Sequence, residues 1–380
     1  MTINEATQLG LPELEFDPVP GGTRHYVPAL QNKAGELEAL RRAPTDTWKW
    51  FTPLLEIVGR KKHPEPYTRN SVVGWVKRLS DSVGAHPCFL DILRLRPGHG
   101  ALTRDGELPV LGLIYAAARK RGLTFVPVLP IGRADATTYT RLVRDAAATD
   151  GRGVALRYPI LRGGVDPGFS HASALLNALD GVEVDVTRSD LLIDLGYLSP
   201  DEEIDICGLS ERLREAVAVG SWRSFVLLGT SMPKALGGTI AEGTLGTLPR
   251  REWDIWTQLR QRFPSDRIPT YGDYLIQHPD PPQDDNGGGA SMRANIRYTA
   301  NGSTLIARGT GPVSRLGRAQ YRDLCQQMVD RAEFAGTTFS WGDAQISGCA
   351  VGVIEPGWQD LWRGAGSSHH LRHVVEQLSR

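Results

Sequence analysis

Short apolar runs alternate with longer segments of helical period along most of this chain. The runs are Arg24–Leu30, Phe51–Val58, Pro87–Leu95, Thr124–Ile131, Gly153–Ile160, Asp190–Leu198, Ser224–Met232 and, interrupted by Gly272, Pro269–Gln277. They are near-continuous in their hydrophobicity, as strands buried on both faces are. Between them lie helical-period segments at Ala34–Arg42, Val73–Val83, Pro109–Arg121, Thr137–Thr149, Phe169–Leu179, Leu209–Ala218 and Arg250–Arg262. The repeat of about 25–45 residues is the size of one βα unit with variable loops. Eight strands in strict alternation with helices predict a TIM-type (β/α)8 barrel over residues 23–277, preceded by an N-terminal extension, 1–22. A flavodoxin-like open sheet is the alternative. A Rossmann sheet would need a Gly-rich turn of the GxGxxG kind after an early strand, and none follows the first or second.

After Gln277 the pattern changes. His278–Ser291 is rich in Pro, Gly and Asp and reads as a flexible loop. Asn295–Gly309 follows, with Asn301-Gly302 between two β-prone runs, the signature of a tight hairpin. Residues 278–318 are therefore expected to form a β-hairpin insertion in the last βα loop, on the face where barrel active sites occur, where it would act as a lid. Helices at Ala319–Glu333 and from Ser368 to the end predict a C-terminal elaboration, 319–380, that closes the barrel.

Composition adds mainly exclusions. Of 380 residues, 41% are apolar and 23% charged, as in an ordinary globular protein. Forty-three basic residues balance forty-three acidic ones, which disfavours a nucleic-acid partner. The basic runs Arg60-Lys61-Lys62 and Arg119-Lys120-Arg121 read as a solvated loop and a helix end. Cys88, Cys207, Cys325 and Cys349 make no CxxC pair, so reduced thiols fit better than a zinc knuckle or a disulfide framework. With four carboxylates and no signal-like apolar segment in the first twenty residues, and no bilayer-length apolar stretch, a cytoplasmic protein without a membrane partner is expected.

The candidate chemistry lies in charged residues set inside apolar runs: Glu56, Asp91, Arg157 and Asp194, with Lys33 just beyond the first strand. A buried charge without a partner costs roughly several kcal/mol, so these groups should meet one another or a ligand, and in a barrel only the mouth brings them together. Lys33, Glu56, Asp91 and Asp194 are the catalytic candidates, with Arg157 holding an anion. Such a set suits acid–base work or a divalent metal, the cofactor being otherwise open. The competing interpretation is a closed ion-pair network with no ligand. Gly229 and Ser231, after the seventh strand, are either a phosphate-binding turn or a plain strand-to-helix turn. His369, His370 and His373 have helical spacings that could bring two imidazoles to a metal, although no HExxH motif is present, and His369 or His370 could instead serve the mouth. Trp253 and Trp256 fit a buried helix stripe.

Several segments together resemble the phage "beta protein" family: YVPALQNKAGELEAL, FTPLLEI, the DLG strand, NIRYT followed by ARG, TFSWGD and the terminal SSHHLRHVVEQL. The resemblance runs from about Tyr26 to Leu378. It implies a phage, prophage or bacterial accessory protein of the kind linked to phage-defence loci, where a beta protein counters the lethal action of a neighbouring gene product. A partner protein from a neighbouring gene is implied with it. The family pattern marks Lys33, Glu36, Glu56, Asp91, Asp194, Arg297, Tyr298, Arg308, Trp341, Asp343, His369 and His370 as positions, without assigning them roles. Two functional readings follow. One is an antitoxin-like defence component that binds a partner or a small anionic ligand. The other is a hydrolase or lyase acting on a phosphorylated or nucleotide-like small molecule, with Lys33, Arg157, Arg297 and Arg308 holding the anion.

Overall fold

The computed structural model describes residues 24–58, 69–92, 94–95, 110–132, 136–161, 170–264, 267–280 and 292–380. The expected extension at 1–22, the run Arg60-Lys61-Lys62 and most of the loop up to Ser291 lie outside these residues.

Eight parallel strands close into a barrel: β1 (Tyr26–Gln31), β2 (Leu54–Glu56), β3 (Cys88–Asp91), β4 (Phe125–Pro130), β5 (Val154–Tyr158), β6 (Ser189–Tyr197), β7 (Ser224–Thr230) and, as the closing strand, β9 (Thr270–Asp273). Closure is explicit in the register, with Tyr26 opposite Tyr271 on one side of β9 and Leu227 opposite Tyr271 on the other. Helices follow the strands: α1 (Ala34–Arg41), the single turn α2 (Thr45–Trp48), α3 (Arg69–Val83), α4 (Val110–Lys120), α5 (Ala136–Asp150), α6 (His171–Val182), α7 (Ile206–Val217) and α8 (Arg251–Arg260). Ser170 and Asp205 cap α6 and α7 by accepting the Ser173 and Gly208 N–H groups, which the helices cannot satisfy internally. The barrel expectation holds, and the open sheet is excluded by the β1–β9 pairing.

Alternation along the strands sorts the barrel into two apolar sets. Leu30, Leu55, Leu90, Leu156, Leu191 and Leu227 pack outward against the helices, while Val27, Ala29, Leu54, Phe89, Val126, Val128, Ala155, Leu192, Val226 and Leu228 form a separate interior cluster. Gly272, which weakened the eighth strand in the sequence, is required by that interior. A Cβ there would lie 2.5 Å from Leu228 Cδ2 and 2.9 Å from the Val27 carbonyl oxygen.

The C-terminal third forms a second layer with its own core. β8 (Leu245–Pro249), absent from the sequence expectations, leaves the β7–α8 connection to pair with the hairpin β10 (Arg293–Ala300) and β11 (Ser303–Pro312) in the order β10-β11-β8. The Asn301-Gly302 turn forms as expected, with Gly302 at φ 70. After the turn α9 (Val313–Leu316), the helices α10 (Gln320–Val329), α11 (Trp341–Ala350) and α12 (Gln359–Ser379) pack on this sheet around Ile296, Tyr298, Leu305, Tyr321, Met328 and Trp362. The hairpin is held by two strand partnerships and packs on a buried core. The last helix starts nine residues before the expected Ser368, because its buried stripe begins at Trp362.

The two layers meet where α1 crosses α12. At Gly35 an added Cβ would strike the Asp360 carbonyl oxygen and come within 2.9 Å of the Gly364 N. Gly35→Ala is expected to force the helices apart at a cost of about 1–3 kcal/mol, the usual size of overpacking. A thermal melt checks this, and an unchanged midpoint would mean that the crossing is slack.

Candidate functional site at the barrel mouth

The interior changes character at the C-terminal ends of the strands. Above the aliphatic layers sit Glu56 and Asp91, the last residues of β2 and β3, Arg157 near the end of β5, Asp194 late in β6 and Tyr274 directly after β9. Glu56 and Asp91 are adjacent in register. Arg157 occupies the centre and spends all its N–H donors on the layer. Nη1 donates to Glu56 Oε1 and Asp91 Oδ2 at 2.6 Å each. Nε and Nη2 donate to Asp194 Oδ2 at 3.0 and 2.9 Å, and Nη2 also reaches the Tyr274 hydroxyl at 2.5 Å. Tyr274 in turn donates to Asp194 at 2.7 Å. Asp194 is placed by its own Asp-Leu-Gly sequence: Gly196 adopts φ 68 and turns its N–H onto Asp194 Oδ1 at 2.9 Å. Burial works against the Asp194 carboxylate, but Arg157, Arg94, Tyr274 and that N–H outweigh it and hold its pKa below the ordinary value.

Around this floor stand further charges. Arg94 lies 3.3 Å from Glu56 Oε1 and donates to Asp280 at 2.7 Å, while Gln31 donates to the Pro279 carbonyl oxygen at 2.8 Å. The segment after β9 is thus tied across the mouth at two points. Lys33, following β1, interacts electrostatically with Glu36, Arg363, Glu56 and Arg297, and burial lowers its pKa. Arg297, on the hairpin wall, donates to the Ile276 carbonyl oxygen at 2.5 Å. Burial and Arg363 bring it down to about 9. Glu36 accepts the Gln31 N–H at 2.5 Å and is pushed up by burial, against the opposing pull of Lys33.

Of the residues proposed from sequence, Lys33, Glu36, Glu56, Asp91, Arg157, Asp194 and Arg297 converge here. The others are placed elsewhere. Ser231 hydrogen-bonds the Glu252 carboxylate and accepts the Arg251 N–H at 2.7 Å, so it starts α8. Gly229 lies against Leu198, Leu195 and Glu252, in register with the outward-facing Asp273. Arg308 binds the Ile240 carbonyl oxygen and stands 3.7 Å from Glu242, holding the β7–β8 connection. Tyr298 donates to Asp343 at 2.7 Å and stacks on His369, and Trp341 lies under Arg42. His369 uses one ring nitrogen on Asp343 at 3.0 Å and the other on the Thr299 carbonyl oxygen at 2.9 Å. His370 uses its pair on the Thr299 hydroxyl at 2.7 Å and on Asp273 at 2.8 Å. Fully engaged and buried, neither faces the mouth: His369 ties α12 to α11 and β10 within the second layer, and His370 ties α12 to β10 and to the barrel strand β9.

Sequence reasoning missed Arg94, Tyr274, Gln277 and Arg363 as members of the mouth. Tyr274 had a signal, since it continues the inward alternation of β9 by two residues from Gly272. The metal option does not fit: the three strand carboxylates are turned onto the Arg157 guanidinium. Among the described residues no group of three or more His, Cys, Asp or Glu side chains could hold a metal. A groove of about 690 Å³ lies outside the barrel between β4, α5 and α6, and its described lining contains no carboxylate, histidine or cysteine.

Parallel strands closing beneath a charged layer define a (β/α)8 barrel, with that layer at the C-terminal ends of its strands. The fold and the ordering of segments agree with the likeness noted in the sequence. The chain belongs to the Beta protein family, whose model matches residues 26–376. Among curated proteins none matches it. Among solved structures it is similar to a putative lyase/mutase from Burkholderia cenocepacia, at 14% identity and TM-score 0.33, over 67% of this chain and 76% of that one. It is also similar to a D-psicose 3-epimerase determined in the presence of D-fructose, at 10% identity and TM-score 0.33, over 66% and 84% of the two chains. No helix among the described residues is long and apolar enough to cross a membrane.

Proposed function

We propose that this protein recognises a small anionic molecule at the barrel mouth and does so as a component of an anti-phage or toxin-neutralising system. The observation that carries the first half is the polar layer itself. Five groups from five strand ends meet in an otherwise aliphatic interior, next to two cations, Lys33 and Arg297, that have no ion-pair partner among the described residues. The second half rests on the likeness to beta proteins of defence loci, and with it comes a partner protein from a neighbouring gene. A hydrolase or lyase acting on a phosphorylated or nucleotide-like molecule is the second reading. It is favoured by Glu56 Oε2, which is buried with no hydrogen-bond partner beside Lys33, a lysine whose proton is held more weakly than usual.

The test is phage protection and host viability in cells carrying the gene with its native neighbours. In Glu56→Gln/Asp91→Asn the amide oxygens still accept from Arg157, so the fold should survive with a loss of about 1–3 kcal/mol while the phenotype disappears. A phenotype that persists at matched soluble protein levels would make the layer purely structural and remove this reading.

A further inference from the structure

One side of the mouth carries more positive charge than its own carboxylates balance. Lys33 has no side-chain hydrogen bond or ion pair among the described residues, although it is held close to Glu36 by the start of α1. Among the described residues Arg297 is bonded only to neutral oxygens: Asn295 Oδ1 at 3.2 Å, the Ile276 carbonyl and Gln277 Oε1 at 3.4 Å. Arg363 is brought in by the Gly35–Gly364 crossing. Its Nε has no hydrogen-bond partner, and Asp360, 3.7 Å away, is largely exposed. Against these three cations stands Glu36, with Oε2 engaged and Oε1 free.

Orphaned polar atoms cluster in the same place. Gln31 Oε1, Glu36 Oε1 and Gln277 Nε2 are buried without a hydrogen bond among the described residues, and all three residues are more than nine-tenths buried. A buried polar atom left unpaired costs about 1–3 kcal/mol, so several in one pocket point to a molecule that completes them. The completing molecule must bring acceptors to Lys33, Arg297, Arg363 and Gln277, and donors to Glu36 and Gln31.

We infer that Lys33, Arg297 and Arg363 form an oxyanion subsite beside the Arg157 layer. The ligand is a small polyhydroxylated molecule bearing one phosphate or carboxylate group. The oxyanion lies on the three cations and Gln277 Nε2, and hydroxyl groups donate to Glu36 Oε1, Gln31 Oε1 and Glu56 Oε2. The tie of Pro279 and Asp280 to Gln31 and Arg94 bounds the site on the outer side and restricts it to small ligands. This subsite deepens the proposed function and rests on the mouth being a ligand site.

Calorimetric titration with ribose 5-phosphate, gluconate and neutral ribose tests it on the intact chain. At least one anionic probe should bind, ribose should not, and the anionic probe that binds tells phosphate from carboxylate. Lys33→Gln and Arg297→Gln should each weaken that probe tenfold or more, Arg297→Lys should retain part of the affinity, and Arg141→Gln, on the far face of α5, should leave it unchanged. Circular dichroism and melting of each variant exclude loss of fold as the cause. Equal affinity in wild type, Lys33→Gln and Arg297→Gln overturns the inference, as does failure of both anionic probes or binding of ribose as tight as theirs. If the subsite fails in this way while Glu56→Gln/Asp91→Asn still abolishes the phenotype, the mouth remains functional and only the ligand assignment falls.

Discussion

Arg157→Met is expected to cost about 3–5 kcal/mol at pH 7, because it strands three carboxylates in the barrel interior without their shared counter-charge. Glu56, Asp91 and Asp194 reach this guanidinium at 2.6–2.9 Å, and neither Glu56 nor Asp91 is solvent-exposed. The dependence on pH should reverse as well. In the wild type, Asp194 has a folded-state pKa below its unfolded value, so its stabilisation is present above about pH 4 and is lost as pH falls through the folded value. In the variant Asp194 loses Arg157, the raising effect of burial has less to oppose it, and its folded-state pKa rises. A carboxyl with a raised folded-state pKa stabilises the protein where it is protonated and destabilises it as pH climbs past the unfolded value. Urea unfolding at pH 5 and pH 7 should therefore show the variant gaining stability toward acid, relative to wild type. Parallel profiles would mean that the three carboxylates are solvated and the layer is not closed as described.

The second large effect belongs to Asp273, on the outer face of β9. Its carboxylate accepts from the Tyr26 hydroxyl, from the Tyr271 hydroxyl at 2.9 Å, from His370 at 2.8 Å and from the Leu275 N–H at 2.9 Å, with Arg250 at 4.0 Å. Burial lowers the His370 pKa against the raising effect of Asp273, so the ring is neutral, donating from Nε2 to Asp273 and accepting the Thr299 hydroxyl at Nδ1. Asp273→Ala leaves two phenols and an imidazole without their acceptor, while Arg250 keeps Gln377 and Glu252, at a cost of about 3–5 kcal/mol. The damage should be local. Amide exchange along α12 and β10 should accelerate more than along β3 to β6, since Asp273, His370 and Thr299 connect the two layers. Uniform acceleration across the barrel would show that Asp273 serves the barrel itself rather than the docking. Asp273→Asn keeps an acceptor and should lose less.

Much of the barrel was legible in the chain, for a physical reason. Parallel strands covered on both faces must be apolar throughout, so seven of the eight stood out and the eighth, interrupted by Gly272, did so less clearly, and a charge inside such a run, as at Glu56 or Arg157, stood out against it. The same logic placed Lys33, Glu56, Asp91, Arg157 and Asp194 at one end. What pattern could not supply was pairing at long range. Leu245–Pro249 is short, half-exposed and Gly-bearing, and it is a strand only because β11 lies beside it. His369 and His370 carry the residue type of a site, yet their partners Asp343, Thr299 and Asp273 lie 26 to 97 residues away and make them docking groups. Arg363 reaches the mouth only through the Gly35–Gly364 crossing.

By itself, then, the sequence determined the local terms: strand and helix periods, the Asn301-Gly302 turn and the strand-end charges that must be neutralised. Only the tertiary structure decided which charges neutralise each other. Ion pairing depends on a few ångströms of distance and on burial, and both arise when strands far apart in the chain close into one ring. Arg157 was consumed by that closure, whereas Lys33 and Arg297 make no ion pair among the described residues, and no local pattern distinguishes the two cases.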